Sequence, residues 1–133
     1  MDYITISTLG NAADFGNLLT TCSINAACSN AIRGINSGGY GSSPNAYLNT
    51  IQYITIATLG NASDFGDLSA LTGHQGGMSS RTRAVFAGGN VPGSYVTTIE
   101  YVQIMTTGDA IDFGDLPLTQ SEPGPVSNGH GGL

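Results

Sequence analysis

The stretch YITIATLGNASDFGDL, residues 53–68, occurs twice more in altered form: YITISTLGNAADFGNL from Tyr3 and YVQIMTTGDAIDFGDL from Tyr101. Tyr3, Tyr53 and Tyr101 are spaced 50 and 48 apart, and Phe15, Phe65 and Phe113 repeat the same two intervals. A third landmark, CSNAIRG from Cys28, MSSRTRA from Met78 and VSNGHGG from Val126, keeps that phase. Double glycines stand at Gly38-Gly39 and Gly88-Gly89, and the two-residue deletion falls just after them, where YGSSPNA becomes NVPGS. Insertions and deletions are tolerated in exposed connections, so this segment reads as a loop.

The landmarks read as strands and turns. NTIQYITIAT (residues 49–58) and TTIEYVQIMT (97–106) are rich in β-branched and aromatic residues. In the first, Ile51, Tyr53 and Thr55 alternate with Gln52, Ile54 and Ile56, so both faces carry apolar groups. That pattern predicts burial between stacked sheets rather than one face open to water. LGNA and TGDA supply Gly-Asn and Gly-Asp turns into a short last strand, DFGDL, whose glycine marks a bulge or a close backbone approach. RAVFAGG is a buried strand and RGINSGG its weaker twin, while no long 3.6-residue apolar stripe supports a helix. Four short strands every 48 to 50 residues is a propeller-like period, and one such sheet needs neighbours to bury its faces.

Composition narrows the function classes. The 133 residues carry 20 Gly, only 9% charged residues, no lysine and a net charge of −6. Such a chain has no basic stripe to neutralise a phosphate backbone, so nucleic acid is excluded as a partner. No apolar run approaches the roughly 20 residues of a spanning helix, and MDYITISTLGN does not read as an ordinary signal peptide. Cys22 and Cys28 have no cysteine counterparts in the next repeat and are expected as two free thiols.

Chemistry finds little footing. DFG at 14–16, 64–66 and 112–114 matches the magnesium-binding motif of kinases, but no phosphate loop, lysine or HRD loop accompanies it. Three copies at the repeat period are architecture: Phe15, Phe65 and Phe113 pack between sheets, and Asp14, Asp64 and Asp112 accept turn or neighbouring-strand hydrogen bonds. Asp64 with Asp67, or Asp112 with Asp115, offers oxygens to calcium, yet no twelve-residue calcium loop is present and Asn17 replaces the second Asp in the first copy. No metal and no cofactor are expected. His74 and His130 lie in different phases of the repeat with no recurring Ser or Cys beside them, so no catalytic triad is read. Arg33 and Arg83 share a position before the buried strand, where each either bridges to a DFG aspartate of a neighbouring sheet or is solvated. The loops 40–47 and 90–95, with Tyr40, Tyr47, Asn90 and Tyr95, are the candidate binding loops, stiffened by Pro44 and Pro92.

With these landmarks the chain resembles the kelch-like repeats of β-propellers: a polar strand GMSSRTR, a buried strand AVFAGG, a variable loop, a Tyr-bearing strand TTIEYVQI and a last strand DFGDL. Familiar kelch blades carry Trp in that last strand, and this chain has none, with Phe15, Phe65 and Phe113 in its place. The wording is most similar to kelch-like repeats of marine phage and virus-associated proteins. The fold expected is therefore all-β, built from four-stranded antiparallel propeller blades: a partial blade in 1–27, full repeats in 28–77 and 78–120, and a Pro/Gly-rich tail in 121–133 with a degenerate first strand. Closed propellers typically have four to eight blades, so the ring is expected to be incomplete within one chain and completed by oligomerisation. The resemblance implies a non-enzymatic structural component of a viral particle, tail or fibre, located in the virion and partnered by its own copies or another virion protein. Alternatives left open are a glycan- or host-surface-binding module and a kelch-like protein-interaction adaptor, extracellular or in the host-cell cytoplasm.

Overall fold

A computed structural model describes residues 1–42 and 45–127. Among them the chain is all-β, with no helix. The first strands, β1 (Asp2–Tyr3) and β2 (Ala13–Asp14), pair with each other alone. The first full repeat, with strands that begin ahead of the expected residue 28, contains β3 (Cys22–Ser23), β4 (Ala26–Ser29), β5 (Arg33–Ser37), β6 (Tyr40–Ser42), β7 (Asn45–Tyr47), β8 (Thr50–Thr55) and β9 (Ser63–Asp67). The second contains β10 (Gly76–Ser79), β11 (Arg83–Ala87), β12 (Asn90–Val91), β13 (Ser94–Tyr95), β14 (Thr98–Gln103) and β15 (Ile111–Asp115). Two four-stranded antiparallel sheets result, ordered β4-β5-β8-β9 and β10-β11-β14-β15, and neither closes on itself. The pair β1-β2 and these two sheets are called the first, second and third sheets below.

Strand boundaries differ from those read in the sequence. The first strand of each sheet is Ala26–Ser29 or Gly76–Ser79, so of the GMSSRTR segment expected to form it only the first residues do. The serines and asparagine of that segment form the turn instead. Asn30 Oδ1 accepts the N–H groups of Ile32 and Arg33 at 2.8 Å, and Ser80 Oγ accepts those of Thr82 and Arg83 at 3.2 and 3.1 Å. Short polar side chains that satisfy backbone donors locally compete with a sheet ladder in this way. The segments read as loops after the double glycines contain paired strands: β6 pairs with β7 and with β3, and β12 pairs with β13.

The core lies between the second and third sheets. Ile35, Ile51 and Phe65 from one side meet Ala84, Phe86, Val102 and Ile104 from the other, all buried. Alternation along β14 explains the choice. Glu100 and Val102 point to the second sheet, while Tyr101 between them faces the opposite way, beside Phe113. The tail crosses that opposite face at its far edge: a Cβ at Gly76 would lie 2.9 Å from Pro123 Cγ. No strand forms at Val126 and Ser127, and the rest of the expected degenerate strand, with His130, lies outside the described residues, as does Pro44.

Candidate functional site

The repeated DFG segment is where one sheet receives the next. In the register of β8 with β9, Ile51 pairs with Gly66 and Gln52 with Asp64, which leaves Phe65 as the extra residue of a β-bulge. The bulge turns the Phe65 and Asp67 carbonyl groups outward, where they accept the N–H groups of Gly108 at 2.7 Å and Ala110 at 2.8 Å from the next sheet's TTGDA turn. The Asp67 N–H in return donates to Asp109 Oδ1 at 3.0 Å. The same three bonds join the first sheet to the second: Gly60 N–H to Phe15 O and Ala62 N–H to Asn17 O, both 2.8 Å, and Asn17 N–H to Asn61 Oδ1 at 2.9 Å.

This approach explains the glycine. Gly16 and Gly66 have φ of +143° and +145°, and a Cβ on either would overlap the carbonyl oxygen of Gly60 or Gly108. Both the conformation and the space therefore exclude a side chain. Both features anticipated for this glycine, bulge and close approach, are present together.

A second contact repeats alongside. Gln52 and Glu100 occupy equivalent, buried positions, and their Oε1 atoms accept the N–H groups of Leu19 at 2.8 Å and Ser69 at 3.1 Å, just past each DFG strand. The double glycines serve the connections. Gly39 N–H donates to Thr72 O and Gly89 N–H to Gln120 O, both at 2.8 Å. A Cβ on Gly39 or Gly89 would fall 2.7 Å from Ser23 O or 2.6 Å from Gly73 O in the preceding connection.

The aromatic landmarks form stacks within each sheet. Tyr3 meets Phe15, Tyr53 meets Phe65 and Tyr101 meets Phe113, edge to face at 6.1, 5.9 and 5.9 Å. Arg33 and Arg83 lie over Tyr53 and Tyr101, their diagonal cross-strand neighbours, at 4.3 and 4.7 Å. Of the two alternatives for these arginines, the bridge to a DFG aspartate is not formed among the described residues, and Arg83 is exposed. Arg33 donates instead to the Ile104 carbonyl of the third sheet at 3.0 Å, because the ring holds its guanidinium toward that strand. Asp14 accepts the Gly16 N–H at 3.2 Å, while Asp64 and Asp112 sit exposed opposite Gln52 and Glu100.

Burial of the three phenylalanines is graded. Phe15 and Phe65 are 8% and 2% exposed, but Phe113 is 55% exposed. The expectation that Phe113 packs between sheets is not met within this chain, since no sheet among the described residues covers β15.

The candidate binding loops divide between two clefts. Tyr47, Asn90 and Tyr95 come together with Ser94 around a cleft of about 400 Å³. Tyr40 packs edge to face on Tyr47 at 5.3 Å and lines a separate cleft of about 240 Å³ with Cys22. Asn90 Oδ1 is buried with no hydrogen-bond partner.

Among the described residues, no three His, Cys, Asp or Glu side chains gather as a metal site. His74 Nδ1 lies at hydrogen-bond distance from Glu122 Oε1, 2.6 Å, a contact that sequence reading missed. His74, Glu122 and Ile24 hold the same phase of the repeat, and all three adopt positive φ, 57°, 54° and 52°. Their backbones are linked in series, His74 N–H to Ile24 O and Glu122 N–H to His74 O, both at 2.9 Å. Both cysteines are free thiols, and burial pushes Cys28 up to about 12 and Cys22 upward as well.

No protein-family model matches the chain, and no curated protein does.

Proposed function

We propose that this chain is a non-enzymatic structural component, whose sheets are kelch-like propeller blades and whose stack is continued by blades from further chains. The observation that carries the reading is the use of the motif. The residues that recur at 50 and 48 spacing are spent on joining sheet to sheet, through the same three hydrogen bonds at two successive joints. Stacking of this kind is open to repetition, because each sheet presents a receiving face and a delivering turn. The pair β1-β2 supplies the third and fourth strands of a blade, and residues 123–125 lie where a first strand would over Gly76. A layer shared between two chains thus has parts on both sides. The resemblance to repeats of virus-associated proteins points to a particle, tail or fibre as the place of assembly, with the virion as location.

Light scattering on the full chain across a concentration series tests this reading. Mass should rise in multiples of 13.5 kDa, and removal of residues 121–133 should reduce it. A compact particle of 13.5 kDa at every concentration overturns it.

A second reading, glycan binding, is favoured by the cleft at Tyr47, Asn90 and Tyr95, which two phenol rings line. The rings would supply a stacking surface for a sugar. Saturation-transfer NMR with neutral oligosaccharides should show transfer that Tyr95→Ala abolishes; no transfer to any sugar removes this reading.

A further inference from the structure

Two halves of the inter-sheet joint are left unpaired on the described chain, and they are complementary. On the outer face of the third sheet, Gly114 keeps the φ of +139° that Gly16 and Gly66 need for an incoming turn, yet no atom stands within 4 Å of where its Cβ would be. Beside it Phe113 is open to water. At the other end, the turn at residues 8–12 has the same TLGNA sequence as residues 58–62. Ala62 in the docked copy is 5% exposed, whereas its counterpart Ala12 is exposed. The contrast extends along the strand: Val102 and Ile104 are buried against the second sheet, while their counterparts Ile4 and Ile6 are 64% and 95% exposed.

We infer that the face around Phe113, Gly114 and Asp115 binds the 8–12 turn of a second copy of this chain. The inference rests on the stacked-blade reading and specifies the joint. Gly10 N–H of the second copy donates to the Phe113 carbonyl and Ala12 N–H to that of Asp115, while Asn11 Oδ1 accepts the Asp115 N–H. Arg83, already held over Tyr101, donates to the Ile6 carbonyl as Arg33 does to that of Ile104.

Charge favours this occupant. Asp67 meets Asp109 across one existing joint and Asn17 meets Asn61 across the other. Asp115 would meet Asn11, an amide, so no carboxylate faces another at that contact. The joint is one bond short of those inside the chain, because Pro117 replaces Leu19 and Ser69 and has no N–H to offer Asp2, the counterpart of Gln52 and Glu100. The tail does not obstruct it: residues 123–125 cover Gly76 on β10, at the opposite edge of the sheet from β15.

Two full-length variants test the joint, Ala12→Glu in the exposed turn and Phe113→Ala on the receiving face. Each should still unfold cooperatively at high dilution, Phe113→Ala at a slightly lower midpoint, and weaken self-association by about tenfold or more, as expected for loss of a central contact. Mixed in equal amounts, they should form pairs that grow no further, since Ala12→Glu keeps an intact receiving face and Phe113→Ala an intact turn. Self-association unchanged in both variants, or variants that dissociate and then fail to pair on mixing, overturns the docking site and leaves the blade reading standing. A wild-type chain that never associates overturns both.

Discussion

Phe15, Phe65 and Phe113 share one sequence motif but differ in what covers them, so identical substitutions should have unequal costs. Phe65 sits at the bulge of β9 with the third sheet over it, 2% exposed and within the central core cluster. Phe65→Ala should cost about 3–5 kcal/mol, the usual range for truncating a buried aromatic. Phe113→Ala loses mainly its edge contact with Tyr101 and should cost about 1 kcal/mol or less in dilute chain. Phe65→Leu should fall between. Thermal unfolding of the three variants at low concentration checks the order; equal midpoints for Phe65→Ala and Phe113→Ala would mean that the second and third sheets do not pack as described. The period of the motif was enough to find these residues in the sequence. Their burial was not, because it depends on whether another sheet lies across the ring, which no local pattern records.

At the scale of strands and turns, legibility followed the size of the feature. The long strands β8 and β14 announce themselves by β-branched and aromatic runs, and the antiparallel order of each sheet follows the order of the landmarks. The pairs β6-β7 and β12-β13 have only two or three residues per strand, too few for alternation to register. The serine-rich segments before Arg33 and Arg83 misled for a different reason, since their side chains satisfy the turn backbone and end the strand early. The joint between DFG and the following turn left a trace, a glycine in each half of the motif at every repeat, but the pairing of the halves is a tertiary fact. The linked backbones of Ile24, His74 and Glu122 left none, as three unlike residues share one left-handed conformation. Ile24 is the costliest of them, because a β-branched side chain in that region strains against its own backbone. Ile24→Asn keeps the φ and relieves the strain. It should raise stability by about 1 kcal/mol, read as a higher denaturant midpoint at unchanged slope. A lower midpoint would show that the packing of Ile24 against Gly73 outweighs the strain.

For the whole molecule, stability is distributed between neighbours. The second sheet touches the first and the third, and the shared core belongs to a pair of sheets rather than to either. The first sheet shows what happens when a layer is thin. With two strands it covers the DFG side of the second sheet but leaves a cavity of about 390 Å³ over Ala27, Gly34 and Ile54, where first and second strands would otherwise lie. That opening and the bare face at Phe113 are the two places where the described chain stops short of the pattern it sets itself. The uniformity of the joint has a historical consequence as well. Since one turn and one bulge serve every junction, a copying error that duplicates a whole unit of 48 or 50 residues yields a chain whose new neighbours already fit. An error of any other length shifts the turn away from its bulge and leaves a glycine with no carbonyl to receive. Descendants of such a chain are therefore free to lengthen or shorten in whole sheets, and the tally of sheets can change across generations while each joint stays as it is.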